Sequence, residues 1–588
     1  MRSSKIITGI HSQPGYGGRM NLRRDQSGQA VVFVLVFLGV ILLSMAFLFK
    51  SGQLTTEKMQ LQNGADSAAY TASTLEARAM NFTAYTNRAM VANEVAIGQM
   101  VGLLSWADEL VAIGEAFELL GGLLDSTIVL AEAGAALNAV GAGFLTAGKT
   151  MTAGLLAVAP LATRGISMVN TVYSLSQEIY HLTTILLFTN AIFKSLEDNV
   201  PGTPGDYFIK RLRPSKEGAQ LSPIGLVALA GHIASYVDGF SSRYALKSAG
   251  SSEQNRNGMG RLAATIREGR DAFSSGDTTP NSKGISQDRG WALKGKATAS
   301  MGIDIKLVRA KITGTFTYGI ESVGGSEIRY KKGKNTFIWS GVDTASWEDA
   351  IDVIIKPPLV KSYKQHFKLP SLPLAGGAYQ ANGVEQSLNL DDMPRTLRQY
   401  GSPPAYGGAA ANKYWGGWSE AGLKIAGKKI QSYPNLQGYR DVDPGKKEGG
   451  NILPFTAPFF LIGVIRPMKD IEGQGPQFAA PLDLPYAGEV DGSLGAFAKA
   501  EVYHCRPDDI SYFRRNDGKT EKDNLFSPFW QARLVKTKNL DRLLGLALQQ
   551  NVIWLSNEDA KNVPGMKNLK DKLQLWIGKL TALMGVLL

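Results

Sequence analysis

The most restrictive feature of the sequence is a run of twenty uncharged residues, Ala30 to Phe49, which reads AVVFVLVFLGVILLSMAFLF. A helix rises about 1.5 Å per residue, so a run of this length crosses the roughly 30 Å hydrocarbon core of a bilayer. A cleaved leader is the alternative, but its apolar core is only about 7 to 15 residues long and is followed by a small-x-small cleavage site. Here the run instead ends in Phe47-Leu48-Phe49 and is followed by Lys50. The sequence therefore predicts a retained transmembrane helix over residues 30–49.

The charges in front of this run predict its orientation. One acid, Asp25, stands there against five basic residues: Arg2, Lys5, Arg19, Arg23 and Arg24. Because basic residues are retained on the cytoplasmic side of a membrane, we expect residues 1–29 to be a cytoplasmic tail and the rest of the chain to lie on the other side.

Two short motifs flank the apolar run. Ser27-Gly28-Gln29-Ala30 leads into it, and Leu61-Gln62-Asn63-Gly64-Ala65-Asp66-Ser67-Ala68-Ala69 follows it. Together with the arginines, this order of parts resembles the N-terminal segment of the TadE/TadG-like Flp (tight adherence) pilus-assembly proteins. The resemblance implies a single-pass protein of the bacterial inner membrane with the bulk of its chain in the periplasm. It also implies pilins, minor pilins and other pilus-assembly proteins as partners.

Two departures from that family limit which of its properties the resemblance implies for this chain. Pseudopilins of this group have a glutamate five residues after the processing glycine, and the fifth residue after Gly28 is Phe33. We therefore expect Gly28 to remain uncut. Longer TadG proteins often carry a von Willebrand A domain whose metal site begins Asp-x-Ser-x-Ser, and the sequence contains no such pentapeptide. We expect no metal site of that type.

Length and patterning predict an α+β fold. A chain of 588 residues that is 44% hydrophobic can bury a sizeable core outside the membrane. We expect a single N-terminal transmembrane helix, a Gly/Ala-rich helical stalk, an antiparallel β-rich head and C-terminal helices. The predicted divisions are a cytoplasmic tail (1–29), a transmembrane helix (30–49), a helical stalk (50–250), a linker (251–290), a β-rich exported domain (291–538) and C-terminal helices (539–588).

An alanine-rich seam marks the first part of the stalk. Its members recur at alternating spacings of four and three residues, as on one face of a helix: Leu61, Ala65, Ala68, Ala72, Leu75, Ala79 and Phe82. Small residues allow a second helix to approach closely, either from the same chain, as an internal hairpin, or from a neighbouring copy, as a helix-mediated oligomer. Polar residues follow the seam, and they could cap, hydrogen-bond internally or recognise a partner: Asn81, Asn87, Arg88, Asn93 and Glu94.

The Gly/Ala-rich stretch from Val101 to Leu196 predicts further helices. A second membrane span there would place Glu132, Asn138 or Lys149 in lipid, at about 2.5 to 3.5 kcal/mol for each central charge, so we favour helical hairpins outside the membrane. The segment 201–205, Pro-Gly-Thr-Pro-Gly, ends this pattern. One more helix is predicted over 224–246, and a short amphipathic piece within the linker over 261–273.

Beyond Trp291 the apolar period changes to two residues, which predicts strands. Three of them, 313–320, 326–330 and 335–339, are predicted to form a meander with glycine-bearing turns. Further strands are predicted over 459–465, 495–504 and 528–535, the last two as an antiparallel pair. The region from Lys356 to Gly450 is too irregular to assign, and helices are predicted over 540–555 and 569–588.

One motif suggests nucleotide binding. Gly143-Phe144-Leu145-Thr146-Ala147-Gly148-Lys149-Thr150 matches the phosphate-loop pattern G-x-x-x-x-G-K-[ST]. Such a loop must follow a buried strand and open a helix, whereas Ala131 to Val140 is helical in pattern. We therefore interpret the match as a Gly/Ala helix bend.

Other chemistry-bearing groups are scattered, and we predict no catalytic, cofactor-binding or metal-binding residues. The sequence has no H-E-x-x-H and no G-x-S-x-G, and its five histidines lack metal-ligand spacing. The pairs Asp391-Asp392 and Asp508-Asp509 are typical of solvated turns. His504 and Cys505 would face opposite sides of a strand, which disfavours a thiol–imidazole pair.

Charge and cysteine content limit the partners and the covalent cross-links that the chain can have. The net charge of +12 includes no dense basic run, which disfavours nucleic acid as a partner, and Cys505 is the only cysteine, so the chain has no internal disulfide.

The leading interpretation is a non-catalytic, membrane-anchored pilus-assembly component of the cell envelope, whose head contacts pilins or the envelope. The alternative is an exported enzyme or carbohydrate-binding head, with aromatic residues stacking on sugars: Tyr379, Tyr400, Tyr406, Tyr414, Trp415 and Trp418.

Overall fold

The structure is a computed structural model. It describes residues 27–126, 131–203, 218–246, 252–275, 289–305, 308–331, 335–356, 361–368, 372–381, 429–430, 433–442, 457–467, 493–506 and 521–537. Within these residues the fold is α+β, with long N-terminal apolar helices and antiparallel sheets, as the sequence predicts. The first 26 residues and the predicted C-terminal helices over 540–555 and 569–588 lie outside the described residues.

Two long helices form an antiparallel hairpin. Helix α1 spans Ser27–Asp125 without a proline, and helix α2 spans Ala131–Asn199 and ends directly before the predicted Pro-Gly break. The end of α2 packs beside Gly64, and its start packs beside Gly121. Four members of the alanine seam are fully buried: Leu61, Ala65, Ala68 and Ala72. The internal hairpin, one of the two alternatives for this seam, is therefore present in the structure.

Glycines at seven-residue intervals let the two helices approach closely at the far end of the hairpin. A Cβ atom built on Gly148 would lie 2.7 Å from the backbone nitrogen of Val111, and one on Gly114 would lie 2.8 Å from the carbonyl oxygen of Gly141. Real Cβ atoms do not approach backbone atoms this closely, so these positions accept only glycine without a shift of one helix. The Gly/Ala-rich composition of this stretch is thus a packing requirement.

Three short helices follow the hairpin. Helix α3, Pro223–Ser235, begins at Ser222, whose Oγ accepts a hydrogen bond from the Gly225 N–H at 2.9 Å, an N-cap that the following proline complements. Helices α4, Glu253–Glu268, and α5, Ala272–Ser275, lie in the stretch that the sequence interprets as a linker. The helix predicted over 224–246 is too long: α3 ends at Ser235, and a π-helical turn over Tyr236–Phe240 leads into a strand.

The described strands are, in chain order, β1 (Gln220–Leu221), β2 (Ser241–Tyr244), β3 (Trp291–Ile305), β4 (Val308–Lys331), β5 (Thr336–Lys356), β6 (Tyr363–Lys368), β7 (Leu372–Ala381), β8 (Lys429–Ile430), β9 (Tyr439–Val442), β10 (Phe459–Pro467), β11 (Ser493–His504) and β12 (Trp530–Leu534). A first sheet has the order β1-β10-β11-β12, and all its pairs are antiparallel. Its β11–β12 pair, with His504 opposite Trp530, confirms the predicted closing pair. Strands β2 and β9 form a second, two-stranded sheet.

The third sheet has the order β3-β4-β5-β7-β8, and β6 pairs with β5. The predicted turn between residues 320 and 326 is wrong, because β4 runs unbroken through Gly324 and Gly325. The physical reason is tertiary: a Cβ atom on Gly324 would collide with the Asp343 carboxylate and lie 2.8 Å from Arg289 Nε. This glycine makes room for an ion pair instead of turning the chain.

Helix α1 is the common wall of the hydrophobic core. Its segment from Leu61 to Met80 packs with the end of α2, with α3 and with the first sheet. Its segment from Met90 to Leu104 packs with α4, the second sheet and the third sheet around Trp339. Ile113 and Phe117 continue the contact along the third sheet. Each of these apolar clusters therefore joins residues from before and after residue 250, where the sequence places the end of the stalk.

Candidate functional site

The phosphate-loop match lies entirely inside helix α2. All eight residues from Gly143 to Thr150 are helical, and α2 begins twelve residues before them, so no strand leads into the motif. Gly148 packs against α1, Gly143 faces open space and Lys149 is exposed. The motif consists of a helix-packing glycine followed by a surface lysine. The interpretation as a Gly/Ala helix bend is correct in placing the match within a helix.

The polar residues that follow the alanine seam bind the β-rich part of the chain. The side-chain oxygen of Asn81 accepts hydrogen bonds from the N–H groups of Phe529 and Trp530, at 2.9 and 2.8 Å, and its nitrogen donates to the Trp530 carbonyl at 2.9 Å. The Asn87 amide donates to the carbonyls of Arg440 and Leu525, at 2.9 and 2.7 Å. Of the three roles that the sequence left open, these contacts are internal hydrogen bonds.

A buried network centred on Glu94 joins both long helices to the segment before β9. Asn170 of α2 donates to one Glu94 oxygen at 3.1 Å, and the Tyr433 hydroxyl donates to the other at 2.9 Å. Asn93 donates to Asn170 at 2.8 Å. Burial raises the pKa of Glu94 to about 7, although the hydrogen bonds that it accepts from Tyr433 and Asn170 favour its charged form. The network fixes the axial register of α1 against α2.

Two further buried contacts join α1 to the sheets through charged or titratable groups. Glu76 Oε2 lies 3.0 Å from His232 Nε2, and the other ring nitrogen lies 2.8 Å from the Phe459 carbonyl oxygen. Arg289 donates from Nε to Asp343 at 2.7 Å and from Nη2 to the Gly102 carbonyl at 3.2 Å. Because a buried charge without its partner is costly, these pairs specify where the sheets attach to α1.

The described histidines and the cysteine form no catalytic constellation. His181 stacks on Tyr236 with 4.3 Å between ring centroids, and His366 lies 2.7 Å from Asp352. His504 Nε2 lies 3.0 Å from the Pro528 carbonyl oxygen, and Cys505 is exposed. Among the described residues, no group of three or more His, Cys, Asp or Glu side chains could hold a metal ion. His11 and the pairs Asp391-Asp392 and Asp508-Asp509 lie outside the described residues.

The aromatic residues proposed for sugar stacking are not brought together in the described structure. Tyr379 is buried against α1 in the second hydrophobic cluster, where burial raises the pKa of its hydroxyl to about 12. The other five, at positions 400, 406, 414, 415 and 418, lie outside the described residues.

The N-terminal end of α1 has the surface of a membrane helix. The large apolar side chains between Val31 and Phe49 are all exposed, with no described part of the chain against them. Packing begins only where Glu57 pairs with Arg466 and Lys58 donates to the Gly495 carbonyl oxygen. By length and composition, both α1 and α2 could cross a membrane.

These features define a membrane-associated protein in which an exposed apolar helix continues into a large folded body. Residues 28–79 match the family model described as putative Flp pilus-assembly TadE/G-like, the same segment that the sequence motifs indicate. This segment contains the apolar run and, except for Met80, all the buried α1 residues of the core that α1 forms with the first sheet. No curated protein and no solved structure matches the chain.

Proposed function

We propose that this chain is a membrane-anchored, non-catalytic component of a bacterial Flp/Tad pilus-assembly system, acting as a TadG-like assembly factor or a minor pilin. The observation that carries this proposal is the match of residues 28–79 to the TadE/G-like family, on a helix whose apolar side chains stay exposed before the folded body begins. Its partners are pilins, minor pilins or other pilus-assembly proteins.

We further propose that α1 alone crosses the inner membrane and that the folded body lies in the periplasm. The basic residues before Ala30 favour a cytoplasmic N-terminus. The hydrogen bonds of Asn81 and Asn87 to the β-rich part support a body that stays attached to α1 as one unit. A periplasm-active reporter fused after Leu588 should be active, and one fused before Ala30 should be inactive. An active N-terminal fusion would overturn this orientation.

The role in assembly is tested in the native bacterium by deleting the gene and complementing it. We expect sheared pili to be lost on deletion and restored by the full chain, but not by a chain that lacks residues 30–49. Unchanged piliation in the deletion strain would contradict the proposal.

Processing distinguishes the two possible roles. Because Phe33 stands where pseudopilins of this group have glutamate, we expect the chain to remain full length and to stay in the membrane fraction. A shortened protein in the sheared-pilus fraction that disappears with Gly28→Ala would identify a processed minor pilin instead.

A further inference from the structure

Between Val158 and Leu186, helix α2 turns a polar face towards α1 and an apolar face away from it. The side chains that face α1 at seven-residue intervals are polar and buried: Thr163, Asn170, Gln177 and Thr184. The opposite face carries eight apolar side chains that are between 52% and 74% exposed. We call them the α2 stripe: Val158, Leu161, Met168, Val172, Leu175, Ile179, Leu182 and Leu186. A stable helix with such a face needs an apolar surface to cover it.

The spacing of the α2 stripe is that of a two-stranded coiled coil. From Val158 onward its positions alternate by three and four residues, with Gly165 occupying the one position that has no side chain. The a positions hold β-branched residues at Val158, Val172 and Ile179, and the d positions hold Leu161, Leu175 and Leu182. β-Branched residues at a with leucine at d favour parallel dimers over larger assemblies.

The membrane that holds α1 cannot cover this stripe. Gln177, on the buried face behind the stripe, donates a hydrogen bond to the Thr86 hydroxyl of α1 at 2.7 Å, which places the stripe at the level of Thr86 along the helix axis. Thr86 follows the end of the apolar run by 37 residues of one uninterrupted helix, about 55 Å along the axis. Since the hydrocarbon core is only about 30 Å thick, the α2 stripe lies in water and requires a protein partner.

We propose that the α2 stripe docks against the α2 stripe of a second copy of this chain, parallel and in register. Two copies anchored by the same N-terminal helix project their hairpins in the same direction and to the same height, which is the arrangement that parallel pairing needs. Eight half-exposed apolar side chains present on the order of 800 Å² per copy, as much as one partner contributes to a standard interface.

The flanks of the stripe permit this pairing. In a parallel pair each g residue faces the following e residue of the other copy, and these pairs are Ala157 with Ala162, Arg164 with Val169, Thr171 with Ser176 and Glu178 with Thr183. None of the four pairs brings like charges together, and Glu178 is already paired with Arg243 and Arg440 of its own chain. The proposed pairing rests on the membrane anchor of the proposed function but not on any role in pili. An experiment can therefore refute the pairing without refuting the role in pili, and the reverse.

Cysteine cross-linking of the full-length chain in detergent micelles tests the pairing. In a Cys505→Ser background, Leu175→Cys places the new thiols at a d position, where two parallel helices approach within disulfide distance. Ser176→Cys is the matched control, since Ser176 is the half-buried neighbour of Leu175 and occupies the e position, on opposite outer sides of the pair. We expect mild oxidation to convert most of the Leu175→Cys chain to a dimer and to leave Ser176→Cys monomeric.

Two outcomes would overturn the proposal. Equal cross-linking at both positions would indicate random collision, and absence of the dimer at Leu175 would indicate another cover for the stripe, such as residues 569–588 of the same chain. A second measurement does not depend on thiols: Leu175→Glu with Ile179→Glu should halve the mass of the purified protein measured by light scattering, with unchanged helix content. A mass unaffected by these two exposed substitutions would also refute the pairing.

Discussion

The close glycine contact between α1 and α2 predicts that one substitution, Gly→Ala, has opposite effects at two positions in the same helix. At Gly143 no atom lies within 4 Å of an added Cβ, so alanine should stabilise the helix by up to about 1 kcal/mol. At Gly148 the same methyl group would lie 2.7 Å from the Val111 nitrogen and 2.9 Å from the Ala107 carbonyl oxygen. Overpacking against backbone costs about 1 to 3 kcal/mol.

The difference between the two variants isolates that packing cost. Both gain the same helix propensity, so the free energy of unfolding of Gly148→Ala should lie about 1 to 3 kcal/mol below that of Gly143→Ala. Urea unfolding of the full-length chain in detergent, followed by circular dichroism, measures both values. If Gly148→Ala is as stable as Gly143→Ala, the two helix axes do not approach closely at this point and the packing argument is wrong.

Three further expectations follow from the burial or exposure of single side chains. Because burial raises the pKa of Glu94 to about 7 from 4.5, its contribution to the free energy of unfolding is fully present below about pH 4.5 and is lost as the pH rises through about 7. Unfolding titrations should show a loss of up to about 3 kcal/mol, which Glu94→Gln should remove. Lys149→Ala should leave stability within about 0.5 kcal/mol and nucleotide binding unchanged, and saturable ATP binding lost in this variant would contradict the helical interpretation. Ala68→Leu and Ala72→Leu should each cost about 1 to 3 kcal/mol and block piliation, with sheared pili at the native level as the contrary result.

The sequence predicts those elements whose cause is local. The period of two residues located β11 and β12, and the alternation of threes and fours located the buried seam on α1. The prediction is wrong where a glycine is required by residues that are distant in the sequence. Gly324 looks like a turn residue, but it sits in a strand because Asp343 and Arg289 need its space. Nothing near Gly324 in the sequence reveals that pair.

For the same reason, only part of the candidate site can be predicted from the sequence. The polar character of Asn81 and Asn87 stood out in an alanine-rich helix, yet their partners Trp530 and Leu525 are more than four hundred residues away. The Glu76–His232 contact carries no local signal at all. The spacing of the α2 stripe, by contrast, is present in the sequence. Only the structure shows that this face of the helix is exposed.

The unbroken course of α1 makes the molecule a lever. From Phe49, where the apolar run ends, to Asp125 the helix extends about 114 Å without a proline. Membrane helices commonly tilt by about 20°, and a change of that size at the anchor would displace the far end of α1 by about 40 Å. Because both large sheets are fastened to α1, a small tilt of the apolar run in the proposed membrane-anchored arrangement would become a large sideways movement of the folded body.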